Sequence, residues 1–330
     1  ISSLGNVDYV TKVADTVYII HYKNAEDTKA GYDLLNEDPN VDTVMKDDKI
    51  KSEESTGNIE EVTENSINDV QEASSNQERA TSKHKKDAWG VKTTGMYKYA
   101  QYIEKITSRK TVRVAVLDTG IRTTHEIFKD RIDMTYAYSS GDSTTIDVSD
   151  EDGHGTMVAG IIAEATPSNV KIVPAKFDYK FSSELEAFRA LANNVDIINC
   201  SFGQYYEDDG TKKILNDVLK EVKDKNTIIV CSSGNDGNKT GYDYENHYPS
   251  ASTYTISVGA TDINREIASF SNYASSVDFT APGVSLNLPS FDGDNNYAIS
   301  QGTSFSSPMV SAAFALLKTE NPSFRLCRFC

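Results

Sequence analysis

The sequence predicts an α/β fold, a doubly wound and mainly parallel sheet with helices on both faces, preceded by a small β/α domain. Beyond Trp89, short apolar segments rich in β-branched residues alternate with helical stretches of about a dozen residues, which is typical of a parallel sheet covered on both sides. Residues 1–50 carry strand and helix patterns of their own, and an acidic stretch separates them from the rest. We therefore divide the chain into residues 1–50, 51–87 and 88–330.

The first of these regions has a β-α-β pattern. It comprises a β-branched stretch ending at residues 17–20, a helical stretch from about residue 25 to 36, and a second strand around residues 41–45. The segment 51–80 that follows has no aromatic residue and consists largely of Glu, Ser and Asn. It cannot bury enough apolar surface to order itself, so we expect a linker.

The elements of the large region follow from its apolar runs. Strands are predicted at residues 112–118, 170–177, 196–202, 227–233, 254–260 and 276–281. Helices are predicted at residues 156–165, 183–193, 212–225 and 304–318. The last helix is mostly apolar and should be buried nearly all round, with Pro308 in its tolerant first turn.

Charge and hydropathy exclude two classes of partner. The formal net charge is −16, and residues 1–80 hold 18 acidic against 7 basic residues. Nucleic acid is not an expected partner, because phosphate binding needs clustered cations and none stand out. No apolar run approaches the roughly 18 residues of a membrane-spanning helix. The chain begins at Ile1, so any signal peptide would lie upstream of it.

Three polar motifs interrupt the apolar scaffold at strand ends or helix starts, where an open α/β sheet presents its functional groups. They are Asp118-Thr119-Gly120, His154-Gly155-Thr156 and the run from Gly302 to Pro308, which contains Ser304. Singly, each is compatible with ordinary turn, surface or helix-cap chemistry. Together they supply a carboxylate, an imidazole and a hydroxyl, the set that activates a serine nucleophile.

The wider motifs resemble the three signatures of the subtilisin-like serine proteases over about residues 88–322. They are Val114-Ala115-Val116-Leu117-Asp118-Thr119-Gly120, Asp152-Gly153-His154-Gly155-Thr156-Met157-Val158-Ala159-Gly160 and Gly302-Thr303-Ser304-Phe305-Ser306-Ser307-Pro308. The order Asp, His, Ser is that of subtilisin. The resemblance implies a serine endopeptidase in which Ser304 attacks a peptide carbonyl, His154 acts as base and then acid, and Asp118 orients the imidazole.

Two further motifs receive roles from the same resemblance. Ser232-Ser233-Gly234-Asn235 would bind substrate and place the Asn235 amide in an oxyanion hole, with the backbone N–H of Ser304. The alternative for Asn235 is a residue of an Asn-Asp-Gly turn. Ser201-Phe202-Gly203 would pair with substrate backbone as an added antiparallel strand. The alternative is that Ser201-Phe202-Gly203 only forms the end of a buried strand and does not bind substrate.

The resemblance also implies a zymogen. Residues 1–50 look like a short propeptide that assists folding and inhibits the product from within the chain, and residues 51–87 look like a linker with the processing site. Candidate cleavage points are Arg79 and the pair Lys85-Lys86. Cleavage after a basic residue is a hypothesis, prompted also by the acidic run Glu207-Asp208-Asp209. This architecture implies a secreted or cell-surface protease, and leader-peptide processing of the lantibiotic type is one role that the scaffold serves.

No cofactor is required for this chemistry. The usual calcium site of the family is predicted to be absent, because apolar Ile127 stands where an aspartate is expected and only residues 166–169 follow the histidine helix. Weak cation binding by the acidic turn 147–152 stays open. The C-terminal Cys327 and Cys330 do not supply enough ligands for a zinc site. The final seven residues do not resemble the family. Cys200 and Cys231 should be buried free thiols.

The same motifs are shared in part with other functions. Asp118-Thr119-Gly120 is also the aspartic-protease signature, but that chemistry needs two carboxylates and no second copy occurs. An α/β-hydrolase esterase would need Gly-x-Ser-x-Gly, and Ser306 occupies the last position. The non-enzymatic alternative is a latent or inactive peptide-binding protein that retains its propeptide.

Overall fold

The computed structural model describes residues 7–45, 47, 51–52, 89–106, 109–141, 145–237 and 239–325. Its strands are β1 Val7–Lys12, β2 Tyr18–Tyr22, β3 Lys51–Ser52, β4 Val112–Asp118, β5 Tyr138–Ser139, β6 Val170–Lys176, β7 Ile197–Cys200, β8 Phe202–Tyr205, β9 Ile228–Ser232, β10 His247–Tyr248, β11 Ile256–Thr261, β12 Val277–Pro282, β13 Leu286–Pro289 and β14 Tyr297–Ser300. Its α-helices are α1 Ala25–Asn36, α2 Gly90–Thr93, α3 Met96–Glu104, α4 His154–Ala165, α5 Phe181–Leu191, α6 Asp209–Asp224 and α7 Thr303–Glu320.

A seven-stranded sheet forms the centre of the molecule, in the order β12-β11-β9-β7-β4-β6-β5, and every neighbouring pair is parallel. Alternate residues of β4 enter different cores. Val114 and Val116 pack with α3, α4 and α7, whereas Ala115 and Leu117 pack with α5 and α6. Because side chains alternate along a strand, this separation confirms the predicted doubly wound sheet with helices on both faces.

One predicted strand is wrong in extent. Residues 196–202 do not form a single strand: β7 ends at Cys200, and β8 begins at Phe202 and leaves the central sheet. β8 instead joins a three-stranded sheet between β10 and β3, and both pairings are antiparallel. The break falls at Ser201, whose hydroxyl is bonded to α7. The chain therefore turns away from the sheet beside that helix.

The final helix is buried nearly all round, as predicted, but its proline is placed differently. Because α7 begins at Thr303, Pro308 is its sixth residue and lies beyond the first turn. A proline there removes the N–H that would bond the carbonyl four residues earlier, which is that of Ser304. The hydroxyl of Ser201 replaces it, donating to the Ser304 oxygen at 2.8 Å.

The first region differs from the predicted β-α-β pattern. Strands β1 and β2 form an antiparallel hairpin, helix α1 matches the expected span, and residues 41–45 form no strand. The turn of the hairpin is held against the large domain because Val13, Ala14 and Val17 are buried in the core shared with α5 and α6. Their burial explains why the β-branched run bends back instead of continuing as one strand.

Several earlier expectations fall outside the described residues. These are the linker beyond Ser52, the cleavage candidates Arg79, Lys85 and Lys86, and the terminal cysteines 327 and 330. The assignment of regions 1–50, 51–87 and 88–330 as separate domains therefore stays a prediction. Cys200 and Cys231 lie in register on β7 and β9 as buried free thiols, which confirms that expectation.

Candidate active site

The three motif residues come together at the carboxyl edge of the sheet. Asp118 ends β4, His154 begins α4 and Ser304 is the second residue of α7, and all three are buried. His154 Nδ1 lies 2.8 Å from Asp118 Oδ1. The ring of Phe305, next to the serine, lies 5.8 Å from the imidazole. The fold thus brings a carboxylate, an imidazole and the start of the helix that carries Ser304 to one place, although the motifs are far apart in sequence.

The Asp118 carboxylate has a donor that sequence reasoning missed. Besides His154, its Oδ1 accepts from the backbone N–H of Thr119 at 2.8 Å and from the hydroxyl of Tyr179 at 3.3 Å. Burial, followed by the Asp118 charge, raises the pKa of Tyr179 well above its ordinary value, so the phenol keeps its proton. Tyr179 adopts φ of 58°, a left-handed conformation that is unfavourable for a bulky residue.

Asp150 fixes the loop that carries His154. Its Oδ1 accepts from the Thr119 hydroxyl at 2.9 Å and from the Gly153 N–H at 2.8 Å, while Oδ2 accepts from the Thr156 N–H at 2.9 Å. One carboxylate therefore ties the end of β4 to the start of α4 and satisfies amide donors at the helix N-terminus. These hydrogen bonds give Asp150 a structural role, while weak cation binding by the acidic turn 147–152 stays open.

Ser304 is held by Ser201, the residue between β7 and β8. Ser304 Oγ donates to the Ser201 carbonyl at 3.3 Å, while Ser201 Oγ donates to the Ser304 carbonyl and lies 2.9 Å from Ser307 Oγ. Asn199 donates to the same Ser201 hydroxyl oxygen at 2.9 Å. The Ser201 side chain and carbonyl thus both bind the start of α7.

Asn235 has the geometry of an oriented donor. Its Oδ1 accepts from the backbone N–H of Thr303 at 2.9 Å and from the Thr303 hydroxyl at 3.0 Å. The amide oxygen is therefore tied to the start of α7, which fixes the orientation of the side chain as an oxyanion donor would require. A bond to another element also favours the oxyanion role over a simple turn role.

The two predicted substrate segments differ in what they offer. The edge strand β8 pairs with the chain's own β3, Gly203 opposite Lys51 and Phe202 opposite Ser52. Ser232, Ser233 and Gly234 are buried, and two of their carbonyls are taken internally: Asn272 donates to the Ser233 and Gly234 oxygens at 2.8 and 2.9 Å. In this structure β8 is therefore covered by the chain's own β3, and the Ser233 and Gly234 carbonyls are occupied by Asn272.

The acidic run near β8 has structural partners. Asp208 is the N-cap of α6 and accepts from the Thr211 N–H at 2.7 Å. Asp209 lies in the first turn of that helix and forms an ion pair with Lys212. These charges stabilise the helix N-terminus. The hypothesis that the run selects a basic substrate residue stays a prediction.

A buried carboxyl group lies in the core beneath β8. Glu184 of α5 is 1% exposed, and its Oε1 has no hydrogen-bond partner among the described residues. Burial raises its pKa to about 8. Its charge also contributes to the raised pKa of Cys200, although burial is the main cause there. At neutral pH, Glu184 therefore remains mostly protonated.

The region of the usual family calcium site does not fit that ion. Ile127 packs against the core and offers no oxygen. Nearby, the buried Arg131 donates to the carbonyls of Ala163, Thr166 and Val170, at 2.7, 3.2 and 3.0 Å. Within the part of the chain that the structure describes, no group of three His, Cys, Asp or Glu side chains could hold a metal ion. Absence of the calcium site stays a prediction.

Comparisons with known proteins agree with this geometry. Residues 109–326 match the model of the subtilase family, peptidase S8. The chain is 33% identical over 229 residues to the minor extracellular protease Epr of Bacillus subtilis, covering 65% of this chain and 33% of Epr. It is 33% identical over 235 residues to the major intracellular serine protease of the same organism, covering 66% of this chain and 71% of that protein. The chain thus spans a third of the first relative and about seven tenths of the second.

Solved structures show the same fold. A cold-adapted subtilisin-like serine proteinase superposes with a TM-score of 0.58 at 25% identity, covering 69% of this chain and 86% of that one. The epidermin leader peptide processing serine protease of Staphylococcus aureus gives 0.58 at 22% identity, covering 68% and 69%. No helix in the described part of the chain has the length and apolar character needed to cross a membrane. The family match, the relatives and the fold together show that this chain belongs to the subtilase family of serine endopeptidases.

Proposed function

We propose that the chain is a serine endopeptidase that hydrolyses peptide bonds through Asp118, His154 and Ser304, and that it is made as a zymogen. The observation that supports this most directly is the convergence of the three residues, with His154 Nδ1 2.8 Å from Asp118 Oδ1. The carboxylate fixes the imidazole tautomer, so that Nε2 can take the proton of the attacking hydroxyl.

The steps follow from these positions. A peptide adds to the β8 edge, Ser304 Oγ attacks the carbonyl carbon, and the Ser304 proton passes to His154. The Asn235 amide and the Ser304 backbone N–H stabilise the negative oxygen. The C–N bond breaks as His154 protonates the leaving amine, and water then hydrolyses the acyl-enzyme with His154 again as base. Loss of the Asn235 donor should lower kcat about 100- to 1000-fold.

The zymogen proposal is supported by the first 52 residues. Their β3 pairs with the substrate edge, and Asp47 accepts from the N–H and hydroxyl of Ser182 at the start of α5, at 2.8 and 2.7 Å. Lys213 of α6 forms an ion pair with Asp42 at 2.9 Å. A peptide cannot add to β8 while β3 is paired there, so the attached segment would inhibit the site.

The register of this pairing also suggests where self-cleavage begins. In antiparallel pairing, each later residue of the segment meets an earlier residue of the edge. Lys51 faces Gly203 and Ser52 faces Phe202, so the next edge residue is Ser201, whose carbonyl accepts from Ser304 Oγ. We therefore expect the first cut at or beside the bond between Glu53 and Glu54, upstream of Arg79 and Lys85-Lys86.

Two measurements test these proposals. A fluorophosphonate probe should label the wild-type chain at Ser304 and should not label Ser304→Ala, because only an activated serine reacts. Intact mass after expression should show a wild-type product that begins near Glu54 and an uncut Ser304→Ala chain. A wild-type chain that is labelled but uncut would favour the latent alternative. Equal cutting of both chains would point to a foreign protease and contradict self-processing.

Secretion is a proposal that rests on the zymogen architecture. Among relatives of equal identity, Epr is extracellular by name and the major serine protease is intracellular. Leader-peptide processing is likewise a proposal, because the likeness to the epidermin protease concerns fold alone. Fractionation of the producing cells, followed by probe labelling of each fraction, decides the location.

A further inference from the structure

Tyr179 lies in the short connection between β6 and α5. The connection comprises only residues 177–180, and none of the polar motifs in the sequence includes it. The left-handed φ of 58° at Tyr179 is unfavourable for any residue except glycine. Such strain persists only where the surrounding contacts determine the conformation, and it clusters at active sites. The contacts of the Tyr179 side chain therefore indicate what the strained residue does.

The ring of Tyr179 packs against two phenylalanines. It stacks on Phe177 with the ring centroids 4.4 Å apart, and it meets Phe202 edge to face with the centroids 6.0 Å apart. Phe177 and Phe202 are buried, and their own rings lie 4.8 Å apart. Phe202 begins β8, the strand to which a peptide would add. This aromatic cluster fixes the Tyr179 ring and connects it with that strand.

The hydroxyl of Tyr179 reaches one particular oxygen of Asp118. It lies 3.3 Å from Oδ1, which also accepts from the Thr119 N–H at 2.8 Å and lies 2.8 Å from His154 Nδ1. The other oxygen, Oδ2, is buried and has no hydrogen-bond partner among the described residues. The three donors therefore converge on the carboxylate oxygen that faces the imidazole.

The tyrosine supplies a constraint that the other two donors do not. Thr119 is the next residue along the chain, so its N–H moves together with the Asp118 carboxylate, whereas His154 has to exchange protons during the reaction. Tyr179 reaches the carboxylate from a separate segment, with a ring that its neighbours hold in place. A donor also stabilises the ionised form of a carboxylate, which makes that carboxylate a weaker acceptor for a further proton.

We propose that Tyr179 is a positioning residue for the peptidase reaction. Its hydroxyl holds Asp118 by the oxygen that faces His154, and its ring connects the carboxylate with Phe202 at the start of β8. The side chain thereby links the strand that would receive a peptide to the group that orients the base. The inference rests on the proposed peptidase function.

The kinetic test compares two substitutions of Tyr179 in the full chain after its own processing, with active sites titrated by the fluorophosphonate probe. Tyr179→Phe keeps the ring and removes only the hydroxyl. It should lower kcat about three- to tenfold and leave KM within about twofold of the wild-type value, because the hydroxyl acts through Asp118. Tyr179→Leu also removes the ring beside Phe202 and should in addition raise KM at least about threefold. The control Tyr138→Phe, at a tyrosine of β5, should change neither constant.

A second test does not depend on activity. In the uncut Ser304→Ala chain, the proton between His154 Nδ1 and Asp118 should give a proton NMR signal far downfield, and a further His154→Ala substitution should remove it. Addition of Tyr179→Phe should move this signal farther downfield, because Asp118 becomes a stronger acceptor when it loses a donor. Addition of Tyr138→Phe should leave the signal in place.

The outcomes separate the inference from the function on which it rests. An unmoved NMR signal, or a Tyr179→Phe enzyme with the kcat of the wild type, would overturn the positioning role. Equal KM values for Tyr179→Phe and Tyr179→Leu would overturn the link to β8. A wild-type chain that neither reacts with the fluorophosphonate probe nor cleaves any peptide would instead overturn the proposed function.

Discussion

Replacement of Arg131 by methionine should strongly destabilise the large domain. Arg131 is 8% exposed, and its guanidinium donates to three carbonyls and to the Thr166 hydroxyl, the latter at 2.6 Å. One acceptor is the Ala163 carbonyl near the end of α4. That carbonyl has no helical donor, because the residue four positions later is Pro167, which lacks an N–H.

The magnitude follows from the groups left behind. Each of three buried carbonyls without a donor costs about 1–3 kcal/mol. The methionine side chain restores about 2 kcal/mol to the free energy of unfolding, because its apolar stem stays buried and a buried charge is removed. Burial lowers the pKa of Arg131 to about 10, which still leaves the group charged at neutral pH. The net loss is centred on about 4 kcal/mol, or a fall in Tm of about 8–16 °C for a domain of this size.

The assay is calorimetric unfolding in a Ser304→Ala background, which prevents self-digestion during heating. The control is Arg189→Met, since Arg189 is exposed and lies in the last turn of α5. That control should shift Tm by less than about 2 °C, as surface substitutions usually do. A similarly small shift for Arg131→Met, or an equal shift for both variants, would refute the assignment of Arg131 as an internal cation that holds the connection after α4.

Three other expectations rest on different groups. Tyr179→Phe removes a donor to Asp118 and should lower kcat/KM by roughly three- to tenfold. It should also move the acid limb of the pH profile of kcat/KM to higher pH. The control Tyr138→Phe, at a tyrosine packed against the core, should have neither effect. Because the pKa of Glu184 is raised from 4.5 to about 8, folding stability should decline from about pH 4.5 to 8 and then level off. Glu184→Gln should therefore raise Tm at pH 9 and change it little at pH 4.5. Equal shifts in Tm at both pH values would contradict this. Excess chelator should leave the wild-type Tm unchanged, because Ile127 supplies no ligand; a clear fall would show a calcium site after all.

Much of the fold could be predicted because its signals are local. Alternating apolar segments located six of the seven strands of the central sheet and missed the two-residue β5, and the expected bounds of β4 coincide with the observed Val112–Asp118. The motifs located Asp118, His154 and Ser304 for the same reason, since each sits where a strand ends or a helix begins. The short helices α2 and α3 and the β13-β14 hairpin were missed, because their patterns are too brief to stand out.

By itself, the sequence determined the α/β class, the alternation of strands and helices, and the three residue types that activate a serine. The tertiary structure decided which polar groups meet: Ser201 with the Ser304 carbonyl that Pro308 leaves without a donor, Tyr179 with Asp118, and Asn235 with Thr303. Periodicity depends on neighbours within a few residues, so it can be read along the chain. A hydrogen bond requires two atoms about 3 Å apart, and only the packing of distant elements brings them there.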